Sequence, residues 1–436
     1  MKFSVTEISF FERDVRLRMP FRFGVVTLTE APQAFVHARI RLENGKESEG
    51  AAAELLAPKW FDKNPALSNE DNFEQLRGSM RVARKLYLNS DLKSAFGHSR
   101  PTVGLVENFG PALLDRALLD ALCRALGISF YEAIRNNAAG LELPPQFLQS
   151  LKPRAQIAAR HTVGLVDPIT TVERKVNDGL PETLEEVIAR YGHRWFKLKV
   201  GGDVKADVER LSAIAGVLDG IAEPYHASLD GNEQYENSES VLELWRAMEA
   251  QRSLKRLAAS VVFIEQPIKR QNALKAEVSA LAAEKPVIID ESDDSLDAFP
   301  RAKALGYRGV SSKTCKGIYK SLINAARCAE WGDGYFMSGE DLTIQAGVAL
   351  QQDLALVSIL GLTHVERNGH HYVNGMAGLP ADEQQRFLSS HEDLYERSHG
   401  AVRLRIEKGM IHMKSLDCPG YASRALPDWK SMRGMP

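Results

Sequence analysis

Eight short apolar runs between residues 157 and 366 constrain the fold of this chain more than any other feature. Most of the gaps between them carry an amphipathic helical pattern, for example Val208, Leu211, Ile214 and Ala215 after the second run. Strand and helix alternating eight times is typical of a closed parallel barrel, the TIM-type (β/α) fold. We therefore predict an α/β barrel over residues 155–375. The runs lie at 157–165, 194–200, 225–230, 261–265, 286–290, 308–313, 334–338 and 363–366.

The residues before the barrel predict an N-terminal α+β capping domain over residues 1–145. Alternating runs at Phe3–Phe11 and Ala34–Leu42 predict antiparallel strands, and the pattern over Pro111–Ile134 predicts a helix. Paired asparagines and prolines between Asn136 and Pro153 interrupt regular structure, so we place the domain boundary there.

The last part of the chain, residues 376–436, predicts a C-terminal segment that packs back on the capping domain. Two alternating runs flank Glu407-Lys408-Gly409, a sequence that favours a turn. We expect these two runs to form a hairpin.

Composition narrows the class of partner. The chain has 436 residues, with 55 basic and 57 acidic side chains, so its net charge is close to zero. Such a balance gives no field that would attract nucleic acid or an anionic membrane, and no apolar stretch approaches the length of a membrane span. Four scattered cysteines indicate reduced thiols in a cytoplasmic protein. We expect a small-molecule substrate.

Three carboxylates end successive apolar runs. Asp230, Glu265 and Asp290 are each followed by turn residues, which places them at the carboxyl-end mouth of the barrel. Each alone is explained as a helix cap or a surface charge, but three together would repel one another without a cation. All-oxygen ligands favour Mg²⁺, or Mn²⁺, over zinc. Spacing alone does not separate Asp290 from Glu291 as the third ligand.

Three lysines accompany these carboxylates. Lys197 and Lys199 are two residues apart on one strand, so they point to the same side, and in a closed barrel that side is the interior. Crowding beside a metal would lower the proton affinity of one of them, as a general base requires. Lys313 ends the sixth run, nearly opposite the second. Two such lysines could remove a proton from one face of a carbon and return it on the other.

These motifs resemble the enolase superfamily, and within it the muconate-lactonising subgroup. The resemblance rests on the Lys197-x-Lys199 pair, on Lys313, and on three short motifs in family order: Asp230-Gly231-Asn232, Glu265-Gln266-Pro267 and Asp290-Glu291-Ser292. It implies that Asp230, Glu265 and Asp290 bind Mg²⁺ with Asn232 behind them. It also implies that Lys199 and Lys313 are the acid/base pair, and that Lys197 holds the substrate carboxylate and tunes Lys199.

The resemblance also extends to regions that would contact the substrate and determine its specificity. Pro20 to Gly24, which includes Arg22, is similar to the first active-site loop of this family, and Glu340, Glu366 and Asn368 stand near the seventh and eighth strand ends. Hydrogen bonding between loops is an equally good explanation of the last three. The eighth strand lacks the Asp-x-Asp of dipeptide epimerases, and no histidine replaces Lys313 as in mandelate-racemase-like members. Relatives imply a homo-oligomer.

The function implied is Mg²⁺-dependent removal of the proton α to a carboxylate, through an enediolate. Racemisation or epimerisation, or else cycloisomerisation or β-elimination, of a small carboxylic acid would follow. Two alternatives stay open: a Schiff-base aldolase that uses Lys313 as its nucleophile, and a metal-binding barrel without catalysis.

Overall fold

The computed structural model describes residues 1–24, 26–173, 175–342 and 344–436. The strands are β1 (Phe3–Phe23), β2 (Val26–Leu42), β3 (Glu47–Leu55), β4 (Gln156–Val163), β5 (Trp195–Lys199), β6 (His226–Asp230), β7 (Val261–Glu265), β8 (Val287–Ile289), β9 (Gly309–Ser312), β10 (Phe336–Gly339), β11 (His364–Glu366), β12 (Tyr395–Ser398), β13 (Ala401–Leu404), β14 (Met410–His412) and β15 (Arg433–Met435). The helices are α1 (Asn69–Leu88), α2 (Ala95–His98), α3 (Leu105–Leu126), α4 (Phe130–Arg135), α5 (Pro145–Ser150), α6 (Leu184–Tyr191), α7 (Val204–Leu218), α8 (Ser238–Ala250), α9 (Lys255–Ser260), α10 (Arg270–Ala273), α11 (Ser279–Glu284), α12 (Ala298–Ala304), α13 (Ile318–Trp331), α14 (Val348–Ile359) and α15 (Ala381–Ser390).

An antiparallel sheet forms the N-terminal part, in the order β15-β1-β2-β3. Helix α3 packs very closely on it: a Cβ at Gly50 of β3 would lie only 2.2 Å from the carbonyl oxygen of Ala117. The predicted single helix from Pro111 to Ile134 is wrong at its end. Gly127 takes a left-handed conformation that ends α3, and the hydroxyl of Ser129 caps the separate helix α4.

The eight predicted runs form β4 to β11, all parallel, and each is followed by a helix. The ring closes because β11 pairs with β4, with Glu366 opposite Arg160. The prediction of a TIM-type barrel with an N-terminal α+β domain is therefore confirmed.

Strand β5 shows why the sequence folds this way. Phe196 and Leu198 are fully buried in the apolar layer between the strands and the helices, and Lys197 and Lys199 alternate with them toward the barrel interior. A second apolar core joins the capping sheet to α3 and α14, and every residue of α14 is buried. This second core holds the capping sheet against one side of the barrel.

The C-terminal residues do not form the predicted hairpin. A tight turn joins Glu407 to Met410, but β13 pairs with β12 whereas β14 pairs with β4 of the barrel. The chain then returns to the N-terminal sheet, where Met435 of β15 lies opposite Phe10 of β1. None of the described helices is long and apolar enough to cross a membrane.

Candidate active site

Strand register brings the predicted charges to one end of the barrel. Lys199 lies directly opposite Asp230, and Asp230 lies opposite Glu265 on the next strand. Asp290 and Lys313 each follow the last residue of their strands, β8 and β9. Because all these strands are parallel, their carboxyl ends share one mouth. All these side chains, and Lys197, are buried there.

Lys197 is the cation at the centre of this group. Its Nζ lies 3.0 Å from Asp230 Oδ2, 2.8 Å from Glu265 Oε2, 2.7 Å from Glu340 Oε2 and 3.0 Å from Glu366 Oε2. Burial alone would lower the pKa of Lys197, but these carboxylates, Asp230 first, raise it well above its usual value. An ammonium group has only three N–H donors. Lys197 is therefore a counter-charge shared by four carboxylates, with two of its N–H groups bonded to Glu340 and Glu366.

Lys199 and Lys313 are less heavily engaged. Lys199 Nζ donates to Asp230 Oδ2 at 2.5 Å and to Asn232 Oδ1 at 2.6 Å, and Lys313 Nζ donates to Asp290 Oδ2 at 2.6 Å. Their strands are four apart in the ring of eight, so the two side chains enter from opposite sides, and both line the same cavity. Each ammonium keeps at least one N–H for another partner.

Asp290 is surrounded by cations. Besides Lys313, it lies 3.3 Å from Lys316 Nζ, and it accepts the hydroxyl of Ser311. Burial would raise the pKa of Asp290, but Lys313 and then Lys316 hold it far below its usual value. Burial would likewise lower the pKa of Lys313, but Asp290 raises it. The contact with Asp290 thus favours the ammonium form of Lys313.

Glu265 is the least satisfied carboxylate. It is fully buried, and neither oxygen accepts a hydrogen bond from any residue that the structure describes, because the close Lys197 contact is not aligned as one. Burial, then Asp230 and Glu340, raise the pKa of Glu265 well above its usual value. A hard divalent cation would relieve this, so the oxygen donor set fits Mg²⁺. Among the described residues no three such side chains form a ready coordination shell, and Asp230 and Asp290 each direct an oxygen to a lysine.

Glu291 reaches the same mouth as Asp290. Its Oε1 accepts from Asn232 Nδ2 at 3.2 Å and lies 3.4 Å from Lys63 Nζ, and its Oε2 is buried without a hydrogen bond. Burial first, and Asp290 among its neighbours, raise the pKa of Glu291 despite Lys63. The assignment of Asp290 as the third ligand stays a prediction.

The four predicted substrate-binding residues lie in different surroundings. Glu366 lines the cavity. Glu340 lies beneath it, paired with Arg160 and Lys197. Asn368 accepts the backbone N–H of Thr162 at 2.7 Å. The side chain of Arg22 is exposed on the capping sheet. Of these four residues Glu366 is the one that lines the cavity, and substrate-binding roles for Glu340, Asn368 and Arg22 stay predictions.

Sequence reasoning missed part of the buried network. Arg160 donates to Ser338 Oγ at 3.0 Å and pairs with Glu340. The hydroxyl of Thr162 donates to Glu366 Oε1 at 2.6 Å. Both occupy the inward positions of β4, as Lys197 and Lys199 do on β5. An arginine in the middle of a buried strand was the signal available in the sequence.

The capping domain covers this mouth with Trp60. The Lys313 Nζ lies 4.3 Å from the centre of the Trp60 ring. Arg270 of the barrel donates to the carbonyl oxygens of Trp60 at 2.7 Å and Phe61 at 2.8 Å. Arg270 is itself held by Glu233, with Nε donating to Oε1 at 2.8 Å. The segment that carries Trp60 is thus tied to the barrel.

The cavity between Lys199 and Lys313 is small, about 30 Å³, which is room for about two water molecules. An organic acid is larger than this volume, so binding one would require the cavity to widen. A larger cavity of about 180 Å³ lies between α3 and α13, lined by Lys316 but by none of the predicted metal ligands. Geometry and charge favour the smaller cavity as the active site.

Comparison with known proteins gives a consistent family. Residues 179–423, more than half of the chain, match the family model described as enolase C-terminal domain-like. Muconate cycloisomerase 1-2 of Acinetobacter lwoffii is 25% identical over 297 residues, which are 67% of this chain and 65% of that protein. The match therefore spans just under two thirds of that relative.

Solved structures share the fold over nearly the whole chain. A muconate-lactonising enzyme from Pseudomonas fluorescens, complexed with muconolactone, has a TM-score of 0.62 and 18% identity, covering 98% of this chain and 97% of that one. A dipeptide epimerase from Cytophaga hutchinsonii, complexed with Mg and D-Ala-L-Val, has a TM-score of 0.64 and 15% identity, covering 99% of each chain.

Proposed function

Because the chain belongs to the enolase superfamily, we propose that it is a Mg²⁺-dependent isomerase or lyase that removes the proton α to the carboxylate of a small organic acid. One observation carries the proposal: Lys199 and Lys313 enter one cavity from opposite sides, beside Asp230, Glu265 and Asp290. Two bases beside a cluster of buried carboxylates suit proton transfer at a carbon flanked by a carboxylate.

The proposed reaction assigns proton transfer to the lysines and metal binding to the carboxylates. One of Lys199 and Lys313 accepts the α-proton, and the other delivers a proton to the opposite face, which racemises or epimerises the carbon. In a cycloisomerisation or β-elimination a single lysine takes part at the α-carbon. Asp230, Glu265 and Asp290 would hold Mg²⁺, or Mn²⁺, whose charge stabilises the negative charge that develops on the substrate carboxylate. Lys197 keeps the surrounding carboxylates compensated.

Solvent exchange tests this proposal directly. The full-length protein is incubated in D₂O with a panel of carboxylic acids, headed by muconate and dipeptides, with Mg²⁺ or with EDTA. Proton NMR should show deuterium entering an α-position only with Mg²⁺. Absence of exchange and of turnover across the panel would contradict the proposal.

The same samples separate the aldolase alternative. An aldolase that forms a Schiff base on Lys313 keeps its activity in EDTA, and borohydride with substrate traps it covalently. Our proposal predicts loss of activity in EDTA and no mass increase after borohydride.

The assembly of the protein stays a proposal as well. We expect a homo-oligomer, since the resemblance implies one, and light scattering coupled to size-exclusion chromatography would check it.

A further inference from the structure

The wall of the active-site cavity that faces away from the metal-ligand cluster is apolar. Strands β1 and β2 and the segment after β3 supply most of it, so the capping domain builds the part of the site that would meet the body of the substrate. Its apolar members are Phe21, Phe23, Leu28, Ala57, Trp60 and Leu342. Apolar surface of this kind binds hydrocarbon and leaves a charge without solvent.

The two carboxylates that line the cavity are already engaged. Glu366 accepts from the Thr162 hydroxyl on one oxygen, and from Lys197 Nζ and the Asp341 backbone N–H on the other. Asp341 Oδ1 accepts the Leu342 backbone N–H at 2.8 Å and lies 2.6 Å from the Arg367 guanidinium. An ammonium group on a substrate would therefore have to compete with protein donors for both oxygens of Glu366 and for Oδ1 of Asp341.

Most of the remaining polar groups at the cavity are donors; the exception is Asn232, whose Oδ1 already accepts from Lys199 Nζ at 2.6 Å. Lys199 and Lys313 each keep an N–H beyond their carboxylate bonds. The indole Nε1 of Trp60 is buried and has no hydrogen-bond partner among the described residues. Donors bind carboxylate, hydroxyl or carbonyl oxygens, and they repel an ammonium group, which can only donate.

From this distribution we infer that the substrate has an apolar body beyond its reacting carboxylate, that any further polar atom on it is an acceptor, and that it carries no ammonium group. Trp60 is the specificity-determining wall for that body. The inference rests on the proposed function, since it takes the lysine side of the cavity as the place of the reacting carboxylate.

An isosteric series of acids tests the inference without turnover. Heptanoate, 6-hydroxyhexanoate and 6-aminohexanoate have the same chain length and end in a methyl, a hydroxyl or an ammonium group. Because the three acids are equally long, any free-energy cost of widening the cavity is the same for each of them and cancels in the comparison. With the full-length protein and saturating Mg²⁺, tryptophan fluorescence and thermal shift should show heptanoate and 6-hydroxyhexanoate binding at least about tenfold more tightly than 6-aminohexanoate. Equal or tighter binding of 6-aminohexanoate, or no binding by any of the three, would overturn the inference.

Variants of Trp60 test whether this residue causes the preference for heptanoate over 6-aminohexanoate. Trp60→Phe keeps an aromatic wall and should preserve the preference for heptanoate, whereas Trp60→Ala should weaken heptanoate binding about tenfold or more with little change for 6-aminohexanoate. Trp429→Phe is the matched control, since Trp429 packs on the far side of the sheet against Phe11. Unchanged heptanoate binding in Trp60→Ala would show that Trp60 is not the wall.

The outcome is separable from that of the proposed function. If deuterium exchange occurs but favours acids that carry an ammonium group, the inference fails and the proposed function stands. If the heptanoate preference holds but no acid in the panel exchanges its α-proton, the proposed function fails and the apolar site stands.

Discussion

The ammonium nitrogen of Lys197 lies 2.8 Å from a carboxylate oxygen of Glu265, and neither oxygen of Glu265 accepts a hydrogen bond. One cation is shared among four carboxylates, and Glu265 is the one that has no other hydrogen bond or ion pair with a described residue. This relationship makes opposite predictions for the two residues. Removing Lys197 leaves negative charge buried, whereas removing the charge of Glu265 relieves it.

Lys197→Met should destabilise the protein by about 3–5 kcal/mol. Among the described residues it removes the only ion-pair partner of Glu265 and of Glu366, and one of two for Asp230 and for Glu340. Urea unfolding followed by circular dichroism measures the change. Lys205→Met, at an exposed position on α7, should change the stability by less than about 0.5 kcal/mol. Equal effects of the two substitutions would contradict the central role of Lys197.

Glu265→Gln should change stability in opposite directions with and without Mg²⁺. The folded state holds the Glu265 proton to a higher pH than the unfolded chain does. Stability is therefore lost as pH rises above about 4.5, at up to about 1.4 kcal/mol per pH unit. The variant avoids that loss, so in EDTA at pH 8 it should unfold at a higher temperature than the parent protein. With saturating Mg²⁺ the order should reverse, because a ligand is gone. Calorimetry in EDTA and in Mg²⁺ measures the unfolding temperatures of the variant and the parent protein. A variant that is more stable than the parent under both conditions would argue against a metal at Glu265.

Asp290→Asn and Glu291→Gln, compared directly, should identify the third metal ligand. If Asp290 binds the ion, Asp290→Asn should weaken Mg²⁺ binding about tenfold or more, and Glu291→Gln should change it much less. Isothermal titration with Mg²⁺ measures both affinities. The reverse result would transfer the role to Glu291, whose Oε2 is also without a hydrogen bond.

Lys199→Met and Lys313→Met should each remove acid–base chemistry on one face of the α-carbon. For a chiral substrate, each variant should lose exchange of one enantiomer by about 100-fold or more, while exchange of the other enantiomer persists. Interconversion of the enantiomers should fail in both variants. Deuterium exchange measured on each pure enantiomer distinguishes the faces, and loss of the same enantiomer in both variants would exclude a two-base arrangement.

Asp115→Asn should stabilise the protein at neutral and alkaline pH. Asp115 is buried, and burial raises its pKa to about 7 although the hydroxyls of Ser99 and Tyr87 donate to it. Because the unfolded chain loses this proton near pH 4, stability falls between about pH 4 and pH 7, by up to about 4 kcal/mol. Urea unfolding at pH 5 and pH 8 should show the gain of the variant growing with pH. The exposed Asp333→Asn control should show no such trend.

The local pattern of the sequence was enough to predict the barrel and the direction of its inward charges. A strand has a side-chain period of two. In a closed barrel Phe196 and Leu198 of β5 face the helices, so Lys197 and Lys199 must face the interior. The order of carboxylates and lysines along the strands therefore predicted their common mouth. Two predictions failed. The first overlooked a local signal, since Gly127 ends one helix and Ser129 caps the next, and the second depends on strand pairing between distant segments. Helix α3 ends at Gly127 rather than continuing to Ile134, and β13 and β14 find different partners despite the turn between them.

What the sequence by itself determined is thus the scaffold and the set of charges at its mouth, since both follow from short-range periodicity repeated around a ring. Only the tertiary structure decided how those charges are shared. It placed Lys197 among four carboxylates, paired Arg160 with Glu340, and left Glu265 without a hydrogen bond. It also brought Trp60 over Lys313, across more than two hundred residues of chain. Such contacts depend on packing between distant elements, which leaves no periodic trace in the sequence of either one.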